Sequence, residues 1–359
     1  MVSKDKSLLK SIAVPVLSVF FGLVLGAIIM LAFGYDPIAG YGAMLKGAFG
    51  RPYNIGEVIR LATPLILTGL GFSVAYAAGF FNIGLSGQAL SGWIVSIWLA
   101  MLFPDLPKLV LLPLCIIAGT IAGAIWAGIA GYLKAQFGTS EVIVTIMLNY
   151  TILHISNHLV RYVLTNDADA TPKISANASL RADFLTQMTG GSRLNLGIFL
   201  ALLMIFVVWV LMNRTTVGFE LRSVGLNPDA SEYAGMNSKK NIVLAMLISG
   251  GLAGMGGVIE GLGTFENLYV LGSVPTIGFD GMAVSLLGGG NPIGILVSAL
   301  LFGVLKIGGL SMPGGAGVPN EIVEIVIASI IFFIGISYAI RYLLDRVPSK
   351  KENAKKGDA

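Results

Sequence analysis

The residues whose types and spacing could do chemistry fall in three short polar stretches set between long apolar ones. The longest runs from Arg214 to Gly235. Asn227 suits an N-cap, Pro228 the first helical position, and Asp229 the positive end of a short helix. Gly235 suits the stop at the far end. The spacing predicts a helix of about two turns, too short to hold its shape alone. It needs a supporting surface, either a partner outside the bilayer or its own bundle, and both remain open at this level.

The second stretch, Gly79 to Gln88, interrupts apolar sequence with glycines and the polar side chains Asn82, Ser86 and Gln88. An amide in hydrocarbon must find a partner, so Asn82 and Gln88 face protein or water. The three residues either line a translocation pathway or form a tight turn whose amides satisfy one another. The third stretch, Gly278 to Pro292, carries Asp280 at or near the membrane. An ionisable residue there is expensive and points to function, which adds Asp280 to the candidate pathway residues. The competing reading is a helix break. Glu260 and Glu266 read as interfacial carboxylates near the external end of a span.

Bond-making chemistry is not indicated. His154 and His158 share a helix face, but no Glu stands between them and a zinc site needs further ligands. The glycine run Gly288–Gly290 lacks the Gly-Lys-Ser/Thr of a phosphate loop. No Gly-x-Ser-x-Gly elbow or paired carboxylate cleft is visible, nor any motif for binding and hydrolysing ATP. The expectation is a non-enzyme with no cofactor and no metal centre. No basic, aromatic-interleaved patch suggests nucleic acid.

These stretches must be positioned by apolar elements. The chain has 359 residues, 55% hydrophobic and only 12% charged, with mean hydropathy +0.84. Soluble domains carry about 25% charged residues. Between Val58 and Leu133 the only charges are Arg60, Asp105 and Lys108. Since about 20 apolar residues cross a bilayer core, the expected fold is all-α, a polytopic transmembrane bundle of about ten spans with a short cytoplasmic coupling helix. The candidate spans are 11–33, 58–79, 86–103, 109–133, 140–162, 194–212, 242–262, 276–289, 292–310 and 320–344. The eighth is too short to cross as a regular helix and reads as a half-helix or re-entrant segment. Residues 1–345 form the membrane domain and 346–359 a basic tail. The lone Cys115 excludes an internal disulfide.

Lysine and arginine set the orientation. Lys4, Lys6 and Lys10 precede the first span, and Arg341, Arg346, Lys350, Lys351, Lys355 and Lys356 follow the last. Both termini then lie in the cytoplasm, as ten spans require. Loop 213–241 falls inside, and loops 34–57 and 163–193 outside. Gly119, Gly123, Ala127 and Gly131 form a small-residue ladder; Gly250 with Gly254 and Gly257 with Gly261 form shorter ones. Such faces let helix backbones approach closely, within one subunit or at a dimer seam.

Three segments together resemble a family: Gly79 to Gln88, Gly218 to Asn227, and Gly278-Phe279-Asp280-Gly281. They look like permease subunits of bacterial ABC importers, in the nucleoside and simple-sugar branch that works with basic-membrane-protein-type lipoproteins. The resemblance covers nearly the whole chain. It implies a multi-span permease paired with a second permease subunit, cytoplasmic ATPase subunits and an extracellular substrate-binding protein. It also implies that Gly225, Asn227, Pro228, Ala230, Ala234 and Gly235 belong to the helix that docks into the ATPase. The sugar branch often carries two adjacent alanines in this loop; here Ser231 follows Ala230, which favours a nucleoside. The external loop 163–193 is then available to a binding protein. The alternatives are an ion-coupled secondary transporter using Asp280 or Glu260, and an ABC permease for ribose or another monosaccharide.

Overall fold

The computed structural model describes residues 2–335. The end of the tenth expected span, and the basic tail 346–359, lie outside the described residues. Helices follow one another almost without interruption. They are α1 (Val2–Ala32), α2 (Pro37–Phe49), α3 (Pro52–Ala77), α4 (Leu85–Leu102) and α5 (Lys108–Phe137). Next come α6 (Glu141–His158), α7 (Asp183–Met188), α8 (Gly197–Arg214), α9 (Thr216–Leu226) and α10 (Pro228–Tyr233). The series closes with α11 (Ser238–Ile259), α12 (Ile277–Leu287), α13 (Pro292–Gly309), α14 (Met312–Ala316) and α15 (Asn320–Gly335). Two widened π-helical turns, Leu159–Leu164 and Glu260–Phe265, extend α6 and α11.

Each of the ten expected spans is largely helical over its described residues, and the protein is an α-helical polytopic membrane bundle. Among the described residues, seven helices are long and apolar enough to cross a bilayer: α3, α4, α5, α6 with its π turn, α8, α11 with its π turn, and α13. Helix α12 has 11 residues, about 16 Å at 1.5 Å per residue, half of a hydrocarbon core. It is the expected half-helix, and the irregular segment 266–276 leads into it.

The described residues form two compact units. In the first, residues 2–47 and 309–335, α1 packs on α15. Gly26 leaves room for Val326 and for Tyr41, whose hydroxyl donates to the Leu23 carbonyl at 2.6 Å. In the second, residues 48–308, α3 is buried for most of its length and α11 packs on α3, α4 and α5.

Glycines set the spacing of that second unit. Gly123 of α5 meets Gly250 and Gly254 of α11, and Gly92 of α4 meets Gly254 from the other side. A Cβ on Gly254 would sit 2.7 Å from the Gly119 carbonyl oxygen, closer than side chains tolerate. Gly131 faces Met246, and Gly257 leaves no space against Ala89. The small-residue ladders are therefore used inside one subunit rather than at a dimer seam. In lipid, where apolar burial between helices gains little, such backbone approach supplies the van der Waals contact that holds helices together.

This packing makes a direct prediction. Gly254→Leu drives α11 away from α4 and α5 and is expected to cost about 1–3 kcal/mol or more through overpacking. Thermal unfolding followed by size-exclusion chromatography in detergent reads the loss. An unchanged transition would refute the interhelical contact.

Candidate functional site

A cavity lies beside the C-terminal π turn of α11. Arg60, Leu61, Ala89, Leu90, Trp93, Gly257, Glu260, Phe265, Tyr269 and residues 271 and 273–277 line a cavity of about 350 Å³. Its position follows from the glycine contacts. Gly257 and Gly261 bring α11 onto Ala89 and Trp93 of α4, so the first turn past Ile259 overhangs the space between α4 and α3. An α-helical turn would close on itself here; the π turn widens the backbone and holds Glu260 and Thr264 inward.

The polar wall is a relay. Arg60 Nε donates to Glu57 Oε2 at 2.7 Å, and its Nη1 donates to Thr264 Oγ1 at 3.3 Å. Glu57 also accepts the Arg193 backbone N–H at 2.8 Å, so the Arg60 charge is matched from behind. Glu260 lines the same cavity and is ion-paired with no cation among the described residues. Three aromatic rings line the same cavity. Trp93 and Phe265 stack with ring centroids 5.0 Å apart, and Tyr269 meets both edge-on at 5.6 and 5.4 Å. Trp93 Nε1 donates to the Asn267 carbonyl at 3.0 Å, which fixes the indole.

The loop expected to be free for a binding protein is partly tied to this cavity. Ala170 bridges Tyr269, and the Thr171 and Ile174 N–H groups donate to Leu268 and Glu266 carbonyls. Arg181 donates to the Gly263 and Thr264 carbonyls at 3.1 and 2.8 Å and pairs with Glu266 at 3.1 Å. These are terminal carbonyls of the π turn, which would otherwise lack partners, and a cation suits that negative helix end. Phe184 and Met188 of α7 remain exposed on the loop's outer side.

The expected pathway residues sit elsewhere. Asn82 Nδ2 donates to Gln88 Oε1 and to Ser249 Oγ, both at 2.9 Å. Its Oδ1 accepts from Gln88 Nε2 at 3.0 Å and from the Gly84 N–H at 2.9 Å. Asn149 Oδ1 accepts the Gly87 N–H at 2.8 Å, and its Nδ2 donates to the Ile83 carbonyl at 3.0 Å. The segment is thus a tight turn whose amides cap the start of α4 within the protein. Ser86 is fully buried under Gly278, where a Cβ would overlap it. Asn82, Ser86 and Gln88 line neither that cavity nor the shallower cleft described below.

Asp280, in the first turn of α12, is ion-paired with Lys306 of α13. The sequence reading gave Asp280 no partner. The pair lies 26 positions apart in the chain, so only the fold reveals it. Gly281 leaves space for the Thr68 side chain, and the Thr68 hydroxyl donates to the Ile277 carbonyl, so α12 starts in the middle of α3. Glu260, read from sequence as interfacial, lines the cavity instead because the π turn rotates it inward.

At the other end of α3 lies the capped loop. Asn227 Oδ1 accepts the Ala230 N–H at 3.0 Å, Pro228 takes the first helical position, and Gly235 follows α10 with φ +85°. Ser231 is buried, its hydroxyl bonded to the Asn227 carbonyl; Ala230, Tyr233, Ala234 and Gly235 are exposed. Gly225 behaves differently. It presses on the Ala77–Gly79 backbone, where a Cβ would overlap, and so seats the loop on its own bundle. It also borders a second, shallower cleft with Tyr76, Phe81, Glu141 and Leu226. The loop rests on the bundle through α9, and Ala230, Tyr233, Ala234 and Gly235 of the α10 turn are exposed.

A polytopic helical bundle with a half-helix, a buried ion pair and an aromatic-lined cavity has the build of a transport permease. Residues 54–335 match the model of a family described as branched-chain amino acid transport system / permease component, and the chain belongs to that family. It is 49% identical over 345 residues to the guanosine ABC transporter permease protein NupP of Bacillus subtilis, covering 96% of this chain and 99% of the relative. It is 46% identical over 358 residues to the nucleoside ABC transporter permease protein NupB of Lactococcus lactis, covering 97% and 98%. The glucose ABC transporter permease protein TsgB13 of Haloferax volcanii is 31% identical, covering 89% and 86%. No solved structure matches the chain.

The ion pair yields a test. Lys306→Ala leaves Asp280 without its cation and is expected to cost about 3 kcal/mol; Asp280→Ala in the same chain recovers much of it. A double-mutant cycle on thermal stability reads the coupling. Additive single effects would mean that the two groups do not pair.

Proposed function

We propose that this chain is one permease subunit of an ATP-driven importer for nucleosides. The observation that carries the reading is near-full-length identity of 46–49% to relatives named for guanosine and nucleoside transport. The cavity supports it, because a nucleoside is a planar ring with a polar edge and this site is lined by Trp93, Phe265 and Tyr269 together with Arg60 and Glu260. Roughly 300–1,000 Å³ is the usual size of a small-molecule site, and this one falls within it.

In this reading the N-terminus and the α9–α10 loop face the cytoplasm. Six helices, α1, α3, α4, α5, α6 and α8, separate the N-terminal lysines from that loop, and an even number keeps both on one side. The bare face of α10 then docks into an ATPase subunit. Leu226 and Tyr233 are 89% and 96% exposed, and the acidic Asp229 and Glu232 stand beside Tyr233. Asn227, Pro228, Ala230, Ala234 and Gly235 shape that face, whereas Gly225 holds it against α3. Rigid-body movement of the loop on nucleotide binding would tilt α3, the helix that meets Gly225 at one end and carries Arg60 near the other. The second permease subunit and the external binding protein complete the assembly; α7 offers Phe184 and Met188 to the latter.

The decisive measurement is uptake of labelled guanosine and ribose into proteoliposomes holding the full complex. ATP-dependent guanosine uptake that survives an uncoupler is expected. Uptake that persists without ATP and collapses with the uncoupler would replace this reading with ion coupling. Tyr233→Ala or Ala234→Trp should lower ATP-driven uptake about tenfold or more, as hot-spot truncation does, with the permease level unchanged. Full uptake in both variants would remove α10 from the docking role.

A further inference from the structure

We infer that the exposed polar row Thr151, His154, His158 and Tyr162, on α6 and its π turn, lines the translocation pathway. The route then runs along the outer face of this subunit and carries an uncharged polar solute through water. This assignment rests on the importer reading and adds where in the subunit the route lies.

Depth places the row inside the membrane. Lys134 and Glu141 pair at 2.9 Å where α6 begins, and Arg161 and Asp169 pair at 2.8 Å at its π turn. From Glu141 to Arg161 is 20 residues, about 30 Å at 1.5 Å per residue, or one hydrocarbon core. Thr151 falls midway, with His154 and His158 about one and two turns closer to loop 163–193. Met147, Thr151, His154 and His158 recur at four, three and four residues and so share one helix face. All four are exposed, and Tyr162, 65% exposed, continues the row. The other face of α6 is spent within the protein, where Thr145, Asn149, Ile152, Leu153 and Ser156 are buried.

The exposed faces of neighbouring spans are different. On α5 the row is Ile117, Ile121, Ile125 and Ile129, and on α8 it is Phe199, Leu203 and Phe206. Those rows suit lipid. Ionisable side chains at membrane depth face protein or a water-filled cavity instead. Close helix seams in lipid favour small residues, as α5 and α11 use here, whereas two histidines and a tyrosine hold a facing helix off and leave room for water. No hydrogen bond or ion pair holds His154 or His158 among the described residues; His158 only meets the Tyr162 ring, centroids 5.1 Å apart. Between Glu141 and Arg161 the helix carries no carboxylate, lysine or arginine, so the row suits a solute without charge. It also adjoins the cavity. Asn157, between His154 and His158 in sequence, takes both the N–H and the carbonyl of Leu271, and residues 271 and 273–277 line that cavity. Row and cavity therefore flank one segment, on which Ser273 and Thr276 are exposed. The second permease subunit closes the open side.

Water access is the test. Cys115, the only cysteine, is buried, which makes the wild-type chain a silent background for thiol labelling. His154→Cys and His158→Cys are compared with Ile121→Cys and Ile125→Cys in the full complex in proteoliposomes. The probe is the membrane-impermeant anion methanethiosulfonate ethylsulfonate, which reacts with thiolate, a species that apolar surroundings suppress. Positions 154 and 158 are expected to react about tenfold or more faster than 121 and 125. Labelling there should block ATP-driven guanosine uptake, and excess guanosine should slow the labelling. Thr151→Cys and Tyr162→Cys read the same row if a histidine variant fails to assemble. Equal rates on α5 and α6 overturn the inference, and so does labelling that neither blocks uptake nor is slowed by guanosine. A wild-type complex that carries no nucleoside sinks the importer reading and this assignment with it. Guanosine uptake by a complex whose α6 thiols stay unreactive overturns the assignment alone.

Discussion

The close approach of α11 to α4 and α5 is the contact on which the rest of the second unit depends. It is possible only because Gly92, Gly123, Gly250 and Gly254 carry no side chain where the backbones meet. Glycine is a poor helix former in water, and a run such as Gly250, Gly251, Gly254, Gly256 and Gly257 would weaken a soluble helix. In hydrocarbon the cost is offset, since an unfolded backbone there has nowhere to place its hydrogen bonds. The result is a helix held tightly enough that its next turn can be irregular. That turn is the π segment Glu260–Phe265, which brings a carboxylate and an aromatic ring to one cavity.

Each break in helical structure is answered by a specific partner. The turn before α4 is closed by the Asn82–Gln88 amide pair and by Asn149. The end of the π turn is closed by Arg181, reaching in from loop 163–193. Segment 266–276 is held by Asn157, whose side chain takes both the N–H and the carbonyl of Leu271. These side chains allow non-helical backbone to exist at membrane depth, and so allow a cavity to exist where an unbroken helix would have filled the space.

Helix α3 connects the two ends that matter. It places Arg60 at the cavity and runs, buried, to Ala77 and Gly79, against which Gly225 sits. The distance from Arg60 to Ala77 along the axis is about 25 Å at 1.5 Å per residue. A rod of this kind gives the two ends a shared rigid element. The ion pair between Asp280 and Lys306 ties α12 to α13, so the half-helix leaning on α3 is also fixed from its other side.

Much was legible in the chain by itself. Apolar length gave ten helical segments in their correct places, including one too short to cross, because hydrocarbon thickness is a single external constraint that each segment meets locally. The cap and stop of α10 were equally legible, since Asn227, Pro228 and Gly235 act on backbone atoms within a few residues. What pairs across the chain was not. Asn82 bonds Gln88 and Ser249, Asp280 pairs with Lys306, and Gly225 abuts Gly79, and none of these partners can be read from the sequence. Glu260 and Arg60 line one cavity although 200 positions separate them in the numbering. Local rules set where helices begin and end; only the packing of those helices decides which polar groups are spent on holding the fold and which are left to meet a ligand.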